Sequence, residues 1–101
     1  MTTPAELNAA RLTQQLEINK IKPIISDLEA ETRNGKSWDE ISTKWNDTNN
    51  RVNSTRGVLQ NLKAQNSGLK NQPGYVRVES QLTVNITETN VMGGQLRTVQ
   101  T

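Results

Sequence analysis

The chain has 101 residues, with twelve basic and ten acidic side chains and no histidine, cysteine or phenylalanine. This length holds one domain at most, and the missing residue types exclude a disulfide framework, thiol chemistry and the commonest general base. Asn, Gln, Ser and Thr make up 38 residues against 22 of Leu, Ile and Val, a thin core at the margin of what folds alone.

No run approaches the roughly 18 consecutive apolar residues of a membrane span, and no basic start followed by an apolar stretch marks a signal peptide. Residues 5 to 33 read as a helix, with Pro4 and Glu6 at its positive end and Asn34-Gly35 after its last turn. Pro23 should kink it or divide it into two shorter helices. At about 100° per residue its apolar side chains fall into two groups: Leu7, Ile18, Ile21, Ile25 and Leu28 on one face, and Ala5, Ala9, Leu12 and Leu16 nearly opposite. One neighbouring helix covers one face, so Leu12 and Leu16 are the expected contact for a further helix from a partner.

Ser37 and Glu40 have the spacing of a capping box and open a second helix that runs to about Asn66. Trp38, Ile41, Trp45, Thr48, Val52, Thr55, Leu59, Leu62, Asn66 and Leu69 keep an unbroken 3-4 spacing, a heptad seam. The connection between the helices, Asn34 to Ser37, is short enough to make them an antiparallel, coiled-coil-like hairpin. Trp38 and Trp45 should anchor its loop end.

Gly68, Pro73 and Gly74 punctuate a linker. Beyond it Val76, Val78, Leu82, Val84 and Ile86 share one parity of an alternating segment, and Gly93-Gly94 offers a turn, the pattern of a β arm or β-hairpin. The expected organisation is therefore α+β, mainly α: a helical hairpin over 1–67, a linker over 68–74 and a β arm over 75–101. A lone two-stranded ribbon is marginal in water, so the five aliphatic residues are the expected docking face for strand addition to another chain.

The residues point to no catalysis, metal or cofactor. Asp27, Glu29 and Glu31 lie close along one helix, which in a polar helix reads as a solvated charge cluster. Arg51, Arg56, Lys63, Lys70 and Arg77 recur with no acidic residue between Thr48 and Val78, a footprint for nucleic acid that lacks stacking aromatics. A hairpin of this length with a tryptophan at its turn superficially resembles the WXG100 family of secreted proteins, and Tyr75 with Glu79 fits that family's Tyr-x-x-x-Asp/Glu export signal. The turn itself reads Gly35-Lys36-Ser37-Trp38 where that family has Trp-x-Gly. The reading that joins these features is a non-enzymatic assembly protein, a homo-oligomer or a part docked on a larger scaffold. By analogy of architecture it is a bacteriophage virion component assembled in the host cytoplasm, in capsid, connector or tail.

Overall fold

A computed structural model describes residues 2–100 as three helices in chain order: α1 (Pro4–Arg33), α2 (Trp38–Ser67) and α3 (Tyr75–Gln100). α1 and α2 occupy the two segments read as helices. The C-terminal segment is not a β arm: it is helical from Tyr75 to Gln100, with residue 101 outside the described residues, and no strand occurs among the described residues. Nor does Pro23 divide α1, which runs unbroken with the proline on its exposed side, so the backbone hydrogen bond it cannot donate is missing from the water-facing side of the helix.

Local chemistry sets the helix ends. Thr3 Oγ1 accepts from the Glu6 amide at 3.2 Å, with Pro4 in the first turn. At the other end of α1 the Lys36 amide reaches Glu31 O at 3.0 Å and the Gly35 amide reaches Thr32 O at 3.1 Å, the bond pair of a Schellman motif. That motif demands the φ of +88° that Gly35 adopts. Ser37 Oγ then accepts from the Glu40 amide at 3.4 Å and starts α2. Pro73 and Gly74 turn the chain into α3, with Gly74 at φ +86° and the Tyr75 amide on Gln72 O at 3.3 Å.

Each helix turns one heptad row inward. Pro4, Leu7, Arg11, Ile18, Ile21, Ile25 and Leu28 are the buried residues of α1, and α2 buries Ile41, Trp45, Thr48, Val52, Thr55, Leu59, Leu62 and Asn66. In α3 the row is Val78, Leu82, Asn85, Thr89, Met92, Leu96 and Val99, again at 3-4 spacing, with Gly93 beside it. Partners across the interior fix the topology. Glu17 meets Arg51 and Glu31 meets Lys44, so α1 and α2 are antiparallel. Trp45 reaches Leu96 and Asn66 reaches Tyr75, so α3 runs antiparallel to α2 and alongside α1. The result is an up-down-up bundle of 53 × 18 × 17 Å.

Packing overrides local preference in α3. Ten of its 26 residues are Val, Ile or Thr, each costing up to about 0.7 kcal/mol in a helix relative to Ala. Against this, Val78, Leu82, Met92, Leu96 and Val99 are buried, at about 1.5–3 kcal/mol per large side chain. A strand in the same place would present its aliphatic row to water with no sheet beside it. The Gly93-Gly94 pair expected to turn the chain lies inside α3 instead. A Cβ at Gly93 would stand 2.8 Å from Arg56 Nη2, and the same nitrogen donates to Thr89 O at 2.9 Å. Gly93 therefore marks where an α2 arginine crosses α3.

Charges flank the rows and pair between helices, as in coiled coils. Arg51 forms two bonds of 2.9 Å with the Glu17 carboxylate, and Lys44 Nζ lies 2.7 Å from Glu31 Oε1. The Arg51 hydrogen bond holds the Glu17 carboxyl below its ordinary value of 4.5 and raises Arg51 in turn. The Lys44 hydrogen bond lowers Glu31 likewise. A depressed folded-state pKa contributes stability that is present above the unfolded value and lost as pH falls through the folded one. The denaturation midpoint should hence decline below about pH 4.5, and a Glu17→Gln, Glu31→Gln double variant should show a shallower acid decline. An unchanged acid limb would assign the decline to other carboxylates.

Candidate interaction surface

Most of the α2 seam belongs to the interior. Ile41, Trp45, Val52, Leu59 and Leu62 are buried, whereas Trp38 remains 40% exposed at the loop end. The two indole rings meet edge to face with centroids 5.4 Å apart, and Trp45 Nε1 donates to Leu96 O at 2.7 Å. That bond ties the loop end of the hairpin to the last turns of α3.

The five residues expected to form a strand's docking face are separated by the helix. Val78 and Leu82 point into the core, Ile86 is half-buried against it, and Val76 and Val84 face solvent. Residues of one parity share a side in a strand, but 82 and 84 are about 200° apart on a helix. The proposed β surface therefore does not exist.

Two exposed apolar areas do exist. On α1, Leu12 and Leu16 are exposed. Leu16 lines a groove of about 440 Å³ shared with α2, whose other wall includes Ser54, Thr55 and Val58, and Glu17 and Lys20 bound it. The second area is the outward side of α3. Val76, Val84 and Val91 are 73%, 59% and 58% exposed, with Ser80, Thr83 and Thr87 exposed between them. Val84 and Val91 also wall a groove of about 580 Å³ between α3 and α1, with Lys22, Ser26, Glu88 and Met92 among its other lining residues. Val91 is absent from the sequence-derived set, although its seven-residue step from Val84 is the helical signal that finds it.

The α3 face is distinguished by charge. Glu79 and Glu88 are the charged residues between Arg77 and Arg97, and both turn toward neighbouring helices. Glu79 Oε2 accepts from Asn66 Nδ2 at 2.9 Å, and Glu88 Oε2 pairs with Lys22 at 2.9 Å. From Val78 to Leu96 the outward side is thus made of Val, Ser, Thr and Asn without a charge, where an exposed helix face ordinarily carries Lys and Glu.

Beneath that face lies a polar layer. Arg11, 7% exposed, donates from Nη1 to Asn85 Oδ1 at 2.7 Å and from Nε to Asn8 Oδ1 at 2.8 Å. Asn85 Nδ2 in turn donates to Glu88 Oε1 at 2.7 Å and to Gln15 Oε1. Glu88 completes the chain to Lys22. Arg11 falls on the 3-4 count from Leu7 and could have been found by extending that row past its apolar members.

The basic stretch is partly consumed inside the bundle, since Arg51 is held by Glu17 and Arg56 by Thr89 and Asn53. Glu31 is likewise held by Lys44. Among the described residues no group of three or more acidic side chains converges, and no helix is long and apolar enough to cross a membrane. Comparison with protein-family models, with curated proteins and with solved structures returns no match for this chain.

Proposed function

We propose that the protein is a non-enzymatic assembly part, a rigid three-helix rod that docks through helix packing on copies of itself or on a larger scaffold. The observation that carries this reading is the uncharged outward side of α3 with its exposed valines. Exposed apolar area concentrated on one face fits a protein partner better than water. Strand addition has no part in it. The setting is a virus particle, a bacteriophage virion by the analogy of small, cysteine-free, Asn- and Thr-rich assembly parts.

The test is sedimentation of a tagged chain produced while particles assemble in the host. Co-migration with intact particles, in an amount that survives high-salt washing, is the expected result. A chain that stays at the top of the gradient, and that is a monodisperse monomer when purified and concentrated, would overturn the reading.

A further inference from the structure

We propose that Asn34 is a site of spontaneous covalent modification, at which the Gly35 amide nitrogen closes on the Asn34 carboxamide and the side chain is converted to aspartate and isoaspartate. The inference is independent of what the rod docks on.

The chain holds twelve asparagines, and Asn34 is the one followed by glycine. Ten of the others, from Asn8 to Asn90, lie inside the three helices. There the next amide is committed to a backbone bond and ψ is held at about −42°, so that nitrogen cannot swing onto the side chain without opening a packed helix. Asn71, in the connection before α3, is followed by Gln72, whose side chain crowds the approach. Asn34 stands just past the end of α1, with φ −85° and ψ 6°, and both it and Gly35 are exposed. Nothing stands within 4 Å of a Cβ built at Gly35, and with glycine in place no Cβ hinders the turning of the peptide plane.

What holds the nitrogen back is local. The Gly35 amide donates to Thr32 O at 3.1 Å and the Lys36 amide to Glu31 O at 3.0 Å. Thr32 and Lys36 are exposed, and an exposed helix end opens at a small part of the global cost. The flanking Arg33 and Lys36 are cations and favour the amide anion that attacks. The Gly35 nitrogen then bonds to Asn34 Cγ and the Cγ–Nδ2 bond breaks. The proton given up by the amide returns to the leaving nitrogen, which departs as ammonia, and a five-membered succinimide remains. Water opens that ring at either carbonyl. Attack at Cγ restores the main chain and leaves aspartate, whereas attack at the backbone carbon routes the main chain through Cγ and leaves isoaspartate. Isoaspartate lengthens the turn by one methylene, so the Gly35 and Lys36 amides no longer meet Thr32 O and Glu31 O together. Either product adds a negative charge at the C-terminus of α1, the end where the helix dipole disfavours it. Modification thus loosens the turn of the hairpin without touching the buried rows.

The purified folded chain, held at mildly alkaline pH and sampled over days, should gain the small mass increment of an amide turned carboxylate. Digestion at acidic residues, which spares Arg33 and Lys36, places the gain at Asn34, and isoaspartate-specific methylation reads the second product. Asn34 should convert more than about tenfold faster than any other asparagine, because the others need a packed helix to open or a bulkier neighbour to move aside. Asn34→Gln should abolish this early phase, since the larger ring that glutamine would form closes slowly, and circular dichroism verifies that the variant keeps its helices. In the separated isoaspartyl form the Gly35 and Lys36 amides should exchange hydrogen faster while the core amides keep their protection. Conversion of Asn34 only after unfolding in urea, or no conversion at all, would overturn the proposal, since the turn then holds the amide. So would conversion of another asparagine, Asn71 above all, ahead of Asn34, or an early phase that persists in Asn34→Gln.

Discussion

Leu82→Ala should lower the unfolding free energy by about 2–5 kcal/mol, while Val84→Ala, two positions on, should change it by less than about 0.5 kcal/mol. The two residues share a parity, and as a strand they would share a surface and a penalty. In the helix Leu82 is fully buried between α1 and α2, and Val84 is 59% exposed. Removing the Leu82 side chain leaves a cavity where three heptad rows meet, a loss that is a large share of the roughly 5–15 kcal/mol typical of a domain. Trimming Val84 exposes no core, and Ala is the better helix former by several tenths of a kcal/mol. Urea denaturation of both variants, at concentrations low enough to exclude association, decides between the two geometries. Equal losses would mean that the segment is not helical in solution.

The same pair shows which parts of the fold are legible in the sequence. α1 and α2 are readable because their ends are chemically marked: Thr3 and Pro4 at one start, Ser37 at the other, and Gly35 closing the first helix with a positive φ. Their inward rows are apolar enough to be counted. α3 hides its row, because Asn85 and Thr89 occupy two consecutive inward positions and break the apolar count in the middle. What remains visible is the even parity of Val76, Val78, Leu82, Val84 and Ile86, a mixture of inward and outward residues that imitates a strand. Gly93-Gly94 reinforces the imitation, since nothing in the sequence reveals that Arg56 needs the space.

The surface was legible in the same partial way. Leu12 and Leu16 are exposed, as their position opposite the core row implies. Val76 and Val84 are exposed as well, but because they point away from a bundle that holds α3, not because they await a sheet. The alternation in this segment reflects two faces of one helix, an apolar one inside and an uncharged one outside.

Removing Asn85 should expose what the polar layer contributes. Its Oδ1 accepts from a guanidinium that is 7% exposed, and its Nδ2 donates to Glu88 and Gln15. Asn85→Ala leaves Arg11 buried without that acceptor and parts it from the Glu88 carboxylate. The cost should be about 1–3 kcal/mol, that of a stranded buried polar group. Arg11→Leu combined with Asn85→Leu should recover part of that loss, because the buried guanidinium is then gone and the row becomes apolar, while the Gln15 and Glu88 oxygens that Asn85 served are only half-buried and turn to water. The coupling energy from the double-mutant cycle isolates the interaction. The recovered variant should nevertheless be less well defined. Arg11 and Asn85 are 74 residues apart in the chain and tie α3 to α1 at one height, and a polar residue in an inward row fixes register at some cost in stability. With leucine at both places the β-branched α3 can slide by a heptad along the groove between α1 and α2, and amide resonances of α3 should broaden or double while helicity is retained. A single sharp set of resonances in the double variant would mean that the apolar rows fix the register unaided. A loss below about 0.5 kcal/mol for Asn85→Ala would mean that water already solvates Arg11.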